Sequence, residues 1–148
     1  MGCHGAVVLG PQSLKDYLIN FARPFIYTTA MSPFSVAQIQ SAYGMLEKNQ
    51  QSLKSLIQYF QSRIQSNHQF ANFIASDSAI QSCVISGNKN AKYIADEINE
   101  AGFAVKAIRS PTVPKNQERI RICLHSFNTE LEIDSLLKKL DQLIKSIQ

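Results

Sequence analysis

The spacing of apolar positions changes several times along the chain, and each change marks an element. Ala6 to Leu9 form an unbroken apolar run between Gly5 and the Gly10-Pro11 pair, the pattern of a short buried strand. Pro11 suits the first turn of a helix, and Leu14, Tyr17, Leu18 and Phe21 then recur at helical spacing. Arg23-Pro24 should close that helix, because proline pushes the preceding residue out of the helical region. Phe25 to Thr29, rich in β-branched and aromatic residues, is expected to form a second strand.

Ser32-Pro33 supplies a cap and a first-turn proline for the next element. Val36, Ile39, Tyr43, Leu46, Leu53, Leu56, Ile57, Phe60 and Ile64 then trace one apolar stripe, which predicts a single long helix or two collinear ones, with Gly44 as a candidate bend. A stripe of this kind is that of a packing helix and points to no chemistry.

From Ala79 the texture becomes a compact alternation. Ile80 to Ser86 reads as a strand closed by Gly87-Asn88, and Asn90 to Ala101 as a helix stopped by Gly102. Phe103 to Ile108 is the next strand. In Glu118 to Leu124, residues Ile120, Ile122 and Leu124 face one way, while Arg119, Arg121 and Cys123, with His125 beyond them, face the other. Thr129 and Glu132 have capping-box spacing, and Ile133, Leu136, Leu137, Leu140, Leu143, Ile144 and Ile147 give the last helix a buried face. This half reads as a self-contained two-layer α+β unit. The first half does not, since its two strands have no partners to complete a sheet; the chain reads as a piece of something larger.

Composition narrows the class. The 148 residues are 45% hydrophobic without a long apolar run, as in a globular chain with no membrane span. The opening MGCHGAVVLGPQS lacks the build of a signal peptide, so the cytoplasm is the expected location. Cysteines at 3, 83 and 123 are odd in number and form no C-x-x-C pair, which argues against a disulfide framework or a zinc site. The net charge of +4 is dispersed and not interleaved with aromatic residues, which argues against nucleic acid and fits an anionic small molecule.

Three groups of residues carry candidate chemistry. Arg121 stands mid-strand, where its planar fork of donors could meet a carboxylate in two parallel hydrogen bonds, and Arg119 lies nearer the strand start. An ordinary solvated strand face would look the same, and spacing alone favours that plainer reading. The loop Arg109-Ser110-Pro111-Thr112-Val113-Pro114 is stiffened by two prolines around a hydroxyl, as a ligand clamp or as a simple rigid turn. Thr28-Thr29, ahead of a capped helix, could serve a phosphate or merely reflect the β-propensity of threonine. Cys3-His4, His68 and His125 have no second ligand or orienting partner at useful spacing, so no metal is expected.

Taken together, GAVVLG, DYLINFARPFIYTTAMSP and EAGFAVKAIRSPTVPKNQERIRICLHSFNTELEIDSLL resemble the α-oxoamine synthases over nearly the whole chain. The resemblance implies a pyridoxal 5'-phosphate enzyme that condenses an amino acid with an acyl thioester and releases carbon dioxide. AIRSPTVP is most like the branch that joins alanine to a pimeloyl thioester in biotin synthesis, where the usual run is AIRPPTVP; Ser110 replaces one proline. Branches of the glycine C-acetyltransferase, 5-aminolevulinate synthase and serine palmitoyltransferase type stay open, as does a non-enzymatic anion-binding module.

The implied fold is α/β of the fold type I pyridoxal-phosphate transferases. Residues 1–32 would be the end of the large cofactor domain, 33–66 a connecting helix, and 67–148 the small two-layer α+β domain. Carried over position by position, Thr28 and Thr29 would reach the cofactor phosphate of the neighbouring subunit in a homodimer. Arg121 would hold the substrate carboxylate, Thr112 would touch substrate from the P-T-V-P loop, and Arg109 would assist on the carboxyl or acyl side. Met1 to Gly5 look like the tail of the family's S-K-A-x-G-x-x-G-G motif, which puts its Schiff-base lysine about two residues before Met1. Neither Lys106 nor Lys115 matches that motif, so this chain by itself is expected to be inactive and not to hold the cofactor. The implied partners are an amino acid, an acyl thioester and a second copy of the chain, with no nucleic acid and no membrane.

Overall fold

A computed structural model describes residues 4–66, 70 and 72–147, with side chains for all of these but 47–49. Cys3, His68 and the Met1–Cys3 part of the lysine-motif tail therefore lie outside the described residues. The chain divides into two compact units, one reaching to Lys48 and one starting at Asn49.

The first unit is helical. Helix α1 covers Gln12–Phe21 with Pro11 as its cap residue, and a short α2 covers Arg23–Ile26. Helix α3, Pro33–Gln65, begins in this unit; the Ser32 hydroxyl accepts from the Ser35 amide at 3.2 Å, and the helix runs on through Gly44. Two expectations are corrected here. Ala6 to Leu9 are irregular, and Phe25 to Thr29 begin as the second half of α2 and continue as a turn. Both runs have strand composition, but a strand exists only where another accepts its hydrogen bonds, and among the described residues up to Gln65 no strand is present. The backbone takes local bonds instead, with the Phe25 and Ile26 amides both donating to the Ala22 carbonyl at 2.9 Å. The apolar side chains stay in solvent, Val8 at 70% and Leu9 at 83% exposure.

The second unit is built on a four-stranded antiparallel sheet in the order β1-β2-β4-β3. Its strands are β1, Phe73–Ile74, β2, Ile80–Val84, β3, Lys106–Ile108, and β4, Arg119–Cys123. The connecting helix α4 covers Asn88–Glu100, and the closing helix α5 covers Glu130–Ser146. One sheet face packs into a core with Ile57 and Phe60 from α3, Ile94 and Ile98 from α4, and the Leu136, Leu140 and Leu143 stripe of α5. Ile120, Ile122 and Leu124 enter that core, as the alternation along the strand requires. The Thr129–Glu132 capping box forms, with both reciprocal bonds present. Residues 103–105, expected as strand, are irregular because the Asn99 side chain takes both backbone groups of Val105, at 2.9 and 3.2 Å.

Candidate functional site

The sheet face opposite the core decides what this unit can bind. Pairing places Ser82 and Lys106 on either side of Arg121, one row along that face. The next row is Val84, Arg119 and Ile108. Arg121 and Lys106 are thus directly opposed cations across two strands, a pairing that costs stability through like-charge repulsion. Such an arrangement is tolerated where an anion can sit between the charges.

Beside this pair, the loop after β3 encloses a cleft of about 460 Å³, lined by Lys106 through Thr112 and by Arg121. Arg109, Thr112 and Arg121, the three substrate-side candidates, all line it. Arg121 is partly buried, and its Nε–H is buried without a hydrogen-bond partner among the described residues. An orphaned donor of this kind costs about 1–3 kcal/mol, and a carboxylate in the cleft would offset it with a charge-assisted bond. Arg119 differs, because its Nε donates to the Gln117 carbonyl at 2.9 Å and so ties the strand to its own approach loop.

The loop's shape comes from contacts that the local pattern does not contain. The Ser110 amide donates to Asn88 Oδ1 at 3.0 Å, and Asn88 Nδ2 donates back to the Ser110 carbonyl at 3.4 Å. The far end is held by Glu118, buried to 2% exposure, whose Oε2 accepts from the Gly87 amide at 3.0 Å. That bond is the main reason the Glu118 carboxyl lies below its usual range, with its own amide and that of Asn116 adding to it. Glu118 is therefore ionised at neutral pH and satisfied by backbone amides. Asn88, Glu118 and Lys106 were not singled out by sequence pattern. Asn88 reads only as strand closure, Glu118 as a strand start, and Lys106 as a lysine outside the cofactor motif.

Thr28 and Thr29 belong to the first unit, where they follow α2 and are exposed, with no side-chain hydrogen bond among the described residues. Two adjacent free hydroxyls have the donor chemistry that a phosphate ester needs. A larger groove of about 600 Å³ in the same unit runs beside α1, but apart from Lys15 its lining is apolar. His125 stacks on Phe127 with ring centroids 4.9 Å apart, both residues exposed, and its Nδ1 lies 3.1 Å from the Cys123 carbonyl oxygen. Among the described residues no cluster of His, Cys, Asp or Glu could hold a metal ion.

A small antiparallel sheet with helices packed on one face and a cationic cleft on the other matches the fold of pyridoxal-phosphate-dependent transferases, and residues 1–140 match the model of the aminotransferase class I and II family. The chain belongs to that family. Its curated relatives include 8-amino-7-oxononanoate synthases of Emericella nidulans, 37% identical over 93% of this chain, and of Methylobacillus flagellatus, 39% identical over 96%. The chain spans only 35% and 36% of the length of these two relatives. Among solved structures, the Francisella tularensis 8-amino-7-oxononanoate synthase superimposes with a TM-score of 0.73 at 26% identity, covering 92% of this chain and 40% of that one. A Sphingomonas wittichii serine palmitoyltransferase, 16% identical with a TM-score of 0.58 over 89% of this chain and 34% of its own, shares the fold.

Proposed function

We propose that the chain supplies the substrate-carboxylate side of an 8-amino-7-oxononanoate synthase, an acyltransferase that joins L-alanine to a pimeloyl thioester with loss of carbon dioxide. The observation that carries this reading is the buried, unpartnered Arg121 Nε–H beside a cleft that also holds Lys106, Arg109 and the Thr112 hydroxyl. Arg121 binds the amino acid's carboxylate through two parallel hydrogen bonds, and Thr112 contacts the substrate from the loop. Arg109 adds positive charge on the carboxyl or acyl side. A carboxylate fixed at one edge leaves the substrate little rotational freedom, so the bond to be broken at Cα is held in one orientation.

Pyridoxal phosphate, when bound, supplies an electron sink for charge developing at that carbon. Thr28 and Thr29 are the residues of this chain assigned to its phosphate, in a neighbouring copy of a homodimer. Residues 1–32 would then belong with a cofactor domain, 33–66 would connect, and 67–148 would form the substrate-side domain. No lysine here is assigned to the cofactor, so residues 1–148 alone are expected to be inert. A cytoplasmic location is part of this reading; among the described residues no helix is long and apolar enough to cross a membrane.

The test is a graft. Residues 1–148 replace the matching segment of the Methylobacillus flagellatus relative, and the product is assayed with L-alanine and pimeloyl thioester. Turnover that disappears with Arg121→Ala, while cofactor absorbance is kept, supports the reading. A folded, cofactor-loaded graft that prefers glycine or serine with a different acyl chain would move the chain to another branch. Turnover indifferent to Arg121→Ala would refute the carboxylate role.

A further inference from the structure

Between β3 and β4 the chain makes a long excursion, and its first half walls the cation cleft. Such a loop is held only weakly from within, by the Val113 amide on the Arg109 carbonyl at 3.3 Å and the Gln117 amide on the Pro114 carbonyl at 3.0 Å. Besides the Arg119 bond to the Gln117 carbonyl, the contacts that fix it among the described residues come from the turn between β2 and α4 and the start of α4. Ser86 Oγ donates to the Asn116 carbonyl at 3.4 Å, the Gly87 amide donates to Glu118, and Asn88 takes both backbone groups of Ser110. Asn88 is also the first residue of α4, whose inner face of Ala91, Ile94, Ala95 and Ile98 is locked in the core. Gly87 precedes it at a φ of 94°, a conformation that a side chain would strain, and this bend aims the Asn88 amide at the loop.

We infer that Asn88 is the positioning residue of the cation cleft: by gripping Ser110 from the rigid end of α4, it sets where Arg109 and Thr112 stand relative to Arg121. The grip itself rests on geometry alone, while its consequence for binding rests on the carboxylate reading of Arg121. Residue type matters. Ser110 presents one N–H and one carbonyl, and a primary amide is the short side chain with one acceptor and donors to match both. Aspartate could accept from the amide but not donate to the carbonyl. Glutamine would reach one methylene too far. Ser110 lies between Arg109 and Pro111, so a shift of its backbone displaces both sides of the cleft wall.

The experiment is nuclear magnetic resonance on the full 148-residue chain, comparing wild type, Asn88→Ala and Asn88→Asp. One readout is hydrogen exchange at the Ser110 amide together with the order of residues 109–113. The other is a sodium acetate titration followed at the Arg121 Nε–H. Asn88→Ala is expected to speed Ser110 exchange and weaken acetate binding, each by roughly tenfold, the scale of losing one or two net hydrogen bonds. Asn88→Asp should fall between. Exchange at Ile120 and Ile122 should not change, which a general loss of stability could not produce. An unaltered Ser110 amide in Asn88→Ala overturns the inference, and so does a loosened loop with unaltered acetate affinity. If wild-type Arg121 itself ignores acetate, the carboxylate reading fails separately, and the Ser110 exchange still decides whether Asn88 positions the wall.

Discussion

Replacing Arg121 by methionine should make the protein more stable and less able to bind. Methionine keeps most of the apolar stem that packs along the strand but carries no donor and no charge. Among the described residues, Arg121 Nε–H is buried without a partner, and relieving such a group is worth about 1–3 kcal/mol. Lys106 lies directly across from it, and removing one of two opposed like charges adds roughly 0.2–1 kcal/mol. Methionine and arginine lose similar rotamer freedom on burial, so side-chain entropy adds little to the difference. The expected net is a gain of about 1–4 kcal/mol, with a Tm rise of roughly 4–8 °C per kcal/mol for a unit of this size. Hydrogen exchange at the Ile120 and Ile122 amides reads the stability of the sheet-bearing unit directly. In parallel, acetate should raise the Tm of wild type above that in chloride of equal ionic strength, by mass action, and leave Arg121→Met unmoved. A variant destabilised by about 1 kcal/mol or more, on the scale of one net hydrogen bond, or an equal acetate effect on both proteins, would show that Arg121 is a structural residue and refute the reasoning.

Other outcomes rest on the same contacts. The Glu118 carboxyl lies below its usual range because backbone amides, Gly87 first, bond its charged form. That stabilisation is complete above the unfolded carboxylate value of about 4.3 and is lost as pH falls through the lower folded value. Acid melting between pH 7 and 3 should therefore cost wild type more than Glu118→Gln, and equal losses would contradict this. Thr129→Ala removes the hydroxyl that accepts from the Glu132 amide and should cost about 1 kcal/mol in urea unfolding; a change below a few tenths would mean the box contributes nothing. Burial pushes the Cys83 thiol up to about 12, so iodoacetamide at pH 8 should spare it in the native chain and modify it only in urea, as mass spectrometry would read. Native labelling at the rate of a free thiol would contradict its burial.

What was legible in the sequence was whatever depends on near neighbours. Alternation along Ile120, Ile122 and Leu124 placed one face of β4 in the core, and Thr129 with Glu132 marked the start of α5. Gly102 stopped α4 as expected and has the positive φ, 92°, that makes glycine the usual residue there. Ala6 to Leu9 and Phe25 to Thr29 misled because β-branched composition states a preference, whereas a strand is a property of a pair. In the candidate site, Arg121, Thr112 and Arg109 could be named from motif and resemblance, and they share one cleft. Asn88 could not, since it meets Ser110 across 22 residues of sequence, and no periodicity records such a contact. The same holds for Glu118, whose partner Gly87 lies 31 residues away.

Arg121 is proposed to meet the carboxylate of the amino-acid substrate. The most direct measurement is the affinity of the grafted enzyme for L-alanine and for L-alaninamide, which lacks that charge, in wild type and in Arg121→Met. Two charge-assisted hydrogen bonds should favour alanine by about 2–4 kcal/mol, or roughly 30- to 1000-fold, in wild type, and the variant should bind both alike. A preference for alanine that survives unchanged in Arg121→Met would contradict this role.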